Sequence, residues 1–318
     1  MAVPASTFTT YLAIGNREDL EDVIYNVSQS ETPILSAIDT SKATNTLHEW
    51  QTDTLAAANP ANAREQGDDA NTTAVVATVR LGNYTQIQDK VPRISDTQQV
   101  VDSAGRGADL DYQVVKMGKE LKTDMEAAAF GTNQAKVVAS AGVAPRMASV
   151  LSWIGTNDVF NAVSGASPVA LLGANTRTDS SAQSAYTEAM LKAVLQMCWN
   201  AGGKPDLIGC GGFNKQQMST FTGRSTPQEQ ASSKKIVNSV DVYEGDFGIQ
   251  KVVAARNIRP RDVLVLQADM WARATLRGMQ SRDLAKTGDS TRKQLITEWT
   301  LVARNEKSSG LIADLTTS

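Results

Sequence analysis

Histidine and cysteine are almost missing from these 318 residues, which contain one of the former and two of the latter. His48 stands alone between Leu47 and Glu49-Trp50. That removes every paired-histidine metal motif and leaves one imidazole for acid–base work; a structural or interfacial role is expected. Cys198 falls in a helical pattern and Cys210 ends a strand pattern, with no CxxC neighbour for either, so no zinc site or disulfide framework is expected. Both read as reduced, packed thiols. Aromatic residues are only 5% of the chain and its five tryptophans are scattered, which gives no stacking platform for single-stranded nucleic acid. Trp199, Trp271 and Trp299 stand among core-type residues and are expected inside. No stretch approaches the roughly eighteen apolar residues of a membrane-spanning helix. Basic residues are not in excess: 31 against 34 acidic ones, a net charge of −3, with no footprint of tight nucleic-acid binding. The opening residues Met1 to Ser6 lack a basic patch and an apolar region, so secretion is not expected. The triplets at Asn26, Asn71 and Asn83 are accordingly expected to carry no glycan.

Catalytic motifs are missing too. Gly203-Lys204 is followed by Pro205 and has Cys198 where a phosphate loop needs glycine. Gly209-Cys210-Gly211-Gly212 lacks the GxGxxG spacing and reads as a turn. There is no GxSxG elbow, and a serine triad would have to recruit His48 from a hairpin. The acidic pairs Glu18-Asp19, Glu21-Asp22 and Asp68-Asp69 sit in capped turns or polar loops, as solvated carboxylates do. No catalytic, cofactor-binding or metal residue is therefore assigned.

What remains is a chain with 41% apolar residues, long enough to bury roughly three quarters of its unfolded surface. Residues 1–45 read as an extended arm with two helical pieces. Asn16 caps a turn bearing Glu18 and Asp19, and Thr32-Pro33 opens a turn before Ile34-Leu35 and Ile38. Residues 46–55 and 72–81 suggest two strands of a hairpin, the second with Val75, Ala77, Val79 and Leu81 on one face. The 16 residues between them, Ala56 to Asn71, hold no apolar anchor larger than alanine. Such a tip is mobile or is ordered by another molecule. From Gly107 the period changes: Leu110, Val114, Met117, Leu121, Met125 and Ala128 form the stripe of an amphipathic helix ending near Gly131. Its length suggests an elongated subunit. Residues 139–185, rich in Ala, Ser and Gly, read as loops and short strands around a denser patch at Val150 to Ile154. A second helix follows, capped by Thr187, with Met190, Leu191, Val194, Leu195 and Cys198 as its buried stripe. Gly202-Gly203 and Pro205 end it. Asp206 to Cys210 reads as a strand and residues 214–222 as another helix, a compact α/β lobe. The remainder reads as strands at 236–243, 249–255, 263–267, 271–276 and 297–302, the last returning to the long helix.

With these pieces in order, the chain resembles the major capsid (major head) proteins of tailed phages, related to the heads of long-headed podophages, with the Hong Kong phage-type fold shared with herpesvirus shells. The resemblance runs nearly end to end. It rests on Thr10-Tyr11 with Gly15 to Leu20, Glu31-Thr32-Pro33, His48 to Asp53, Trp199 to Asp206, and Val242 to Gly248. Most specific are Leu284 to Ser290, Glu298 to Leu301, and Asn305-Glu306. The resemblance implies an α+β fold in five parts: an N-terminal arm (1–45), an extended hairpin loop (46–91), a peripheral domain with a long spine helix (92–140), an axial α/β domain (141–265) and the peripheral domain's C-terminal strands (266–318). It also implies self-assembly as hexamers and pentamers into an icosahedral or elongated head shell around double-stranded DNA, held without sequence specificity. A portal protein is an implied partner, with separate scaffolding and decoration proteins where these are used and no membrane; assembly is expected in the host cytoplasm. Candidate intersubunit contacts are Arg17, Glu18 and Asp19 in the arm, His48 and Trp50 in the hairpin, and Arg64, Glu65, Asp68 and Asp69 at its tip. Three readings compete with it. One is an encapsulin-like nanocompartment shell, which DNA or protein cargo would discriminate. The others are an α/β enzyme with a deep pocket and a decoration or fibre module.

Overall fold

A computed structural model describes residues 31–67, 69, 72–101, 108–221 and 241–318. The Asn16-capped turn, Arg17, Glu18, Asp19, Glu21-Asp22, Asp68 and most of the strand expected at 236–243 lie outside the described residues. In chain order the elements begin with α1 (Pro33–Ala37), β1 (Asp39–Lys42), β2 (Leu47–Thr52), β3 (Val79–Tyr84), β4 (Gln86–Lys90), β5 (Arg93–Ser95) and α2 (Asp96–Val100). They continue with α3 (Asp109–Glu126), α4 (Val150–Trp153), β6 (Asp158–Val159), α5 (Glu188–Asn200), β7 (Leu207–Cys210) and α6 (Gly212–Met218). The last are β8 (Val242–Gly245), β9 (Gly248–Ala254), β10 (Val263–Leu266), β11 (Trp271–Asp283), β12 (Ser290–Ala303) and β13 (Gly310–Ile312).

The long helix forms as its periodicity predicts. α3 runs straight into a π-helical turn, Ala127–Gly131, and at ~1.5 Å per residue the 109–131 rod is about 34 Å long. Leu110, Leu121, Met125 and Ala128 are buried, while Val114 and Met117 are half-buried. Gly131 ends the rod where a Cβ would meet the Asn257 carbonyl oxygen at 2.1 Å. α3 is tied to its sheet by Lys90, whose ammonium lies 2.9 Å from Asp124 and 3.3 Å from Glu120.

Two sheets carry the chain. One has five strands in the order β1-β11-β12-β4, with β5 on the far end of β12. β11 and β12 form a long antiparallel ribbon with register shifts between Thr275 and Gln280, and bulges of this kind bend and twist such a ribbon. The other sheet has six strands, β6-β13-β10-β7-β9-β8. α5 covers it, laying Leu191, Val194, Leu195 and Cys198 on Ile208, Val263, Val265 and Ile312. Thr187 caps α5 as expected, its hydroxyl accepting the Met190 N–H at 3.4 Å, and Gly202 turns the chain out at φ +86°. The main core holds Trp153, Trp271, Trp299 and Phe130, and each fully buried large side chain contributes about 1.5–3 kcal/mol.

Several expectations are corrected. The second hairpin strand is residues 79–84, not 72–81: Val75 is 97% and Val76 81% exposed, so the alternation at 72–78 is not buried by the described residues. Trp199 is 59% exposed, because it lies one position, or 100°, beyond the Cys198 end of the buried stripe. The Val150–Ile154 patch is a buried helical turn, and α6 begins two residues early and ends at Met218. Thr32 precedes α1, but its side chain makes no capping hydrogen bond. The 271–276 and 297–302 strands are parts of 13- and 14-residue strands. β1 and β13 lie at the sides of β11 and β10 respectively.

Candidate assembly surface

The candidate surface is built on the β2–β3 ladder, where Leu47 pairs with Tyr84, Trp50 with Leu81, and Thr52 with Val79. The ladder is closed at its base and open at its tip. At the base, the Trp50 indole N–H donates to the Ala303 carbonyl at 2.8 Å, and the ring lies 5.5 Å from that of Trp153. Asn83, fully buried, donates to the Leu301 carbonyl at 2.8 Å and accepts the Ala148 N–H at 2.8 Å. Lys136 donates to the Gly82 carbonyl at 2.8 Å and sits 5.6 Å above the Trp153 ring; burial pulls its pKa down. Glu49 and Arg80 pair across the strands. Between Thr52 and Val79 the described residues, 53–67, 69 and 72–78, are in neither helix nor strand and nearly all exposed, with Leu55 fully exposed.

The sequence candidates do not converge. His48 is half-buried on β2, its ring 6.1 Å from Trp50, and burial lowers its pKa, so the imidazole is neutral near pH 7. Trp50 is the anchor of the hairpin base. Arg64, Glu65 and Asp69 stand exposed on the tip. Lys136 and Asn83 were missed, since a lysine in the stretch after the long helix and an asparagine in a glycosylation-like triplet carry no pattern that predicts their contacts.

Buried charge gathers at two other places. Glu126, at the end of α3, accepts the Ile34 N–H at 3.1 Å, and burial pushes its carboxyl up to about 7. Beside β10, Arg177 pairs with Asp158 at 2.7 Å, Arg259 with Asp179 at 2.6 Å, and Arg261 with Asp314 at 2.7 Å. Asp262 lies among them, and burial lifts it to about 6 despite the arginines. These pairs fasten the segment after β6, the start of β10 and the C-terminal Asp314 to one another. The sequence showed the Arg259-Pro260-Arg261 turn but not its partners. Cys198 and Cys210 are buried free thiols, pushed up to about 12 and about 11 by burial. Among the described residues no cluster of His, Cys, Asp and Glu is arranged to hold a metal, and no helix is long and apolar enough to cross a membrane.

The chain thus combines a long helix on a β-ribbon with register shifts, a second α/β lobe and a separate two-stranded hairpin. Solved structures share the fold. A capsid chain of the native GTA particle matches with a TM-score of 0.64 and 11% identity, covering 96% of this chain and 97% of that one. A chain of Mycobacterium phage Adephagia matches at 0.63 and 11%, covering 98% and 99%. The structure of phage G gp27 major capsid proteins and gp26 decoration proteins matches at 0.56 and 14%, covering 99% and 100%. The chain belongs to the SU10 major capsid protein family, which it matches over residues 4–316. It is also 26% identical, over 98% of its length and 97% of the relative's, to the major capsid protein of Escherichia phage Phieco32. It is a structural protein of the virion, not an enzyme, and with copies of itself forms the phage head shell. The encapsulin reading is not favoured.

Proposed function

We propose that the chain assembles as hexamers and pentamers in which the hairpin of one subunit lies across its neighbour. The observation that carries this is the bare tip: Leu55, Val75 and Val76 are 100%, 97% and 81% exposed, on a two-stranded element that is marginal in water alone. Obligate contacts of this sort bury about 2,000 Å² or more, and heterologous contacts that close give rings. In this reading residues 1–45 are the arm, 46–91 the hairpin loop, 92–140 the peripheral domain with α3 as its spine helix, 141–265 the axial domain, and 266–318 the peripheral strands. The arm and tip charges, Arg17, Glu18, Asp19, Arg64, Glu65, Asp68 and Asp69, contact neighbouring subunits, as do His48 and Trp50 at the hairpin base. The shell encloses double-stranded DNA without reading its sequence; a net charge of −3 suits a container that must later release its contents. A portal protein closes one vertex, and scaffolding and decoration proteins, where used, are separate chains. Assembly takes place in the host cytoplasm.

Electron microscopy and sedimentation of the chain, alone and with its virus's other head genes, test this. Closed shells or five- and six-membered rings are expected. A monodisperse monomer under both conditions, with the ~20 Å radius of gyration of a globular chain of this length, overturns it.

A further inference from the structure

The six-stranded sheet has two edges, and both carry apolar surface. At the β8 edge, Val242 is 57% and Ile249 63% exposed; they share one face, since Val242 pairs with Lys251 and Glu244 with Ile249. Around the same hairpin, the exposed Trp199 stacks on Phe247 with ring centroids 5.6 Å apart. Apolar side chains thus wrap both faces of an edge strand whose outer side has no strand partner among the described residues. Edges left in this state are templates for association, and apolar patches of this kind mark interaction sites.

The opposite edge is β6, and the segment that leaves it, residues 160–176, contains no charged residue at all. Within it Val163 is 73%, Val169 54% and Leu172 47% exposed. It is not loose chain: Ala166 and Thr178 bridge to each other, the Arg177 guanidinium lies 4.7 Å from the Phe160 ring centroid, and Lys136 N–H bonds to the Gly173 carbonyl at 2.9 Å. A held, uncharged, apolar surface is costly to leave in water and is suited to another protein.

We infer that these two edges are the two halves of one contact between copies of this chain: the Trp199–Ile249 edge of one subunit packs on the Val163–Leu172 surface of the next. A second copy is the occupant because the protein forms a shell with itself, and because the strands from which the two surfaces extend, β8 and β6, are opposite edges of one sheet. A contact between two different patches is heterologous, and repeated around an axis it closes a ring. The inference rests on the capsomer reading above and names the residues that close the ring.

Cysteine pairs test it, since Cys198 and Cys210 are buried and stay silent. Ile249→Cys, Val163→Cys and the double variant are assembled and treated with a short bismaleimide. The expected result is a ladder ending at pentamer and hexamer for the double variant and no ladder for either single one. Shells that form without a ladder, or a dimer from Ile249→Cys alone, which marks an edge-to-same-edge contact, overturn this inference and leave the capsomer reading intact. Failure of the unsubstituted chain to make rings or shells overturns both. Before assembly, Ile249→Cys is expected to react with a water-soluble maleimide and to lose that reactivity in the shell. No reaction in the unassembled chain means that the edge is already covered before assembly, and that also overturns the inference.

Discussion

Glu126 Oε1 accepts the backbone N–H of Ile34 at 3.1 Å, so the last turn of the long helix holds the first turn of α1 across 92 residues of sequence. The carboxyl is fully buried, and its pKa stands at about 7 against an ordinary 4.5 because desolvation outweighs the hydrogen bonds it accepts.

The sign of the pH effect follows. Between about pH 4.5 and 7 the folded chain keeps the Glu126 proton and the unfolded chain has lost it. Folding there binds a proton, so stability is full below 4.5, falls as pH rises and levels above 7, by of order 3 kcal/mol. Asp262, lifted to about 6, acts in the same direction. Glu126→Gln keeps an acceptor for Ile34 and removes the charge. Urea unfolding of the unassembled chain from pH 4.5 to 8 is expected to show a flatter profile for the variant, which becomes the more stable protein at pH 8.

Trp50 ties the hairpin base to β12 by its N–H to Ala303 and to α4 by its ring against Trp153. Trp50→Phe keeps a ring and leaves the carbonyl unpaired, at about 1 kcal/mol. Trp50→Ala removes the packing too, at about 2–3 kcal/mol. The two are distinguished by urea midpoints, and assembly yield should fall in the same order because the hairpin loses its fixed base.

Asn83 donates to Leu301 and accepts from Ala148 at zero exposure. Asn83→Ala orphans both backbone groups, at about 2–4 kcal/mol. Asn83→Asp presents a carboxylate that cannot donate to the Leu301 carbonyl, and burial raises its pKa. Its thermal midpoint is therefore expected to recover as pH falls towards 5, which the alanine variant's does not.

The elements legible in the sequence are those whose buried face repeats over several turns. α3 and α5 show this, with Thr187 and Gly202 marking the ends of α5 as cap and exit. β13, three residues long, and β4, Gln-Ile-Gln-Asp-Lys, carry no such repeat, because their partners β10 and β12 decide their pairing. At 72–78 the apolar alternation was present but nothing among the described residues covers it, and a period cannot report what it packs on. Trp199 failed for a related reason: at the end of a helix, one residue separates the buried stripe from the exposed edge. At the hairpin, Trp50 was legible as an aromatic within a strand. Lys136 and Asn83, which hold its base, depend on contacts 54 and 218 residues away and leave no local trace.

Two glycines give opposite outcomes for the same substitution. At Gly310 an added Cβ would lie 2.3 Å from Val194 Cγ1, 2.8 Å from the Asn157 carbonyl oxygen and 3.1 Å from Cys198 Sγ. Val194 belongs to the packed α5 stripe, and the Asn157 carbonyl is held by the Leu311 N–H at 3.0 Å, so neither can yield. Gly310→Ala is expected to cost about 2–3 kcal/mol through overpacking and to loosen α5 from β13. Gly118, in the middle of α3, has nothing within 4 Å of its added Cβ, and alanine there gains up to about 1 kcal/mol of helix propensity. Urea midpoints of the two variants should therefore move in opposite directions from the parent. A stable Gly310→Ala chain would mean that β13 is not clamped between α5 and the 157 segment.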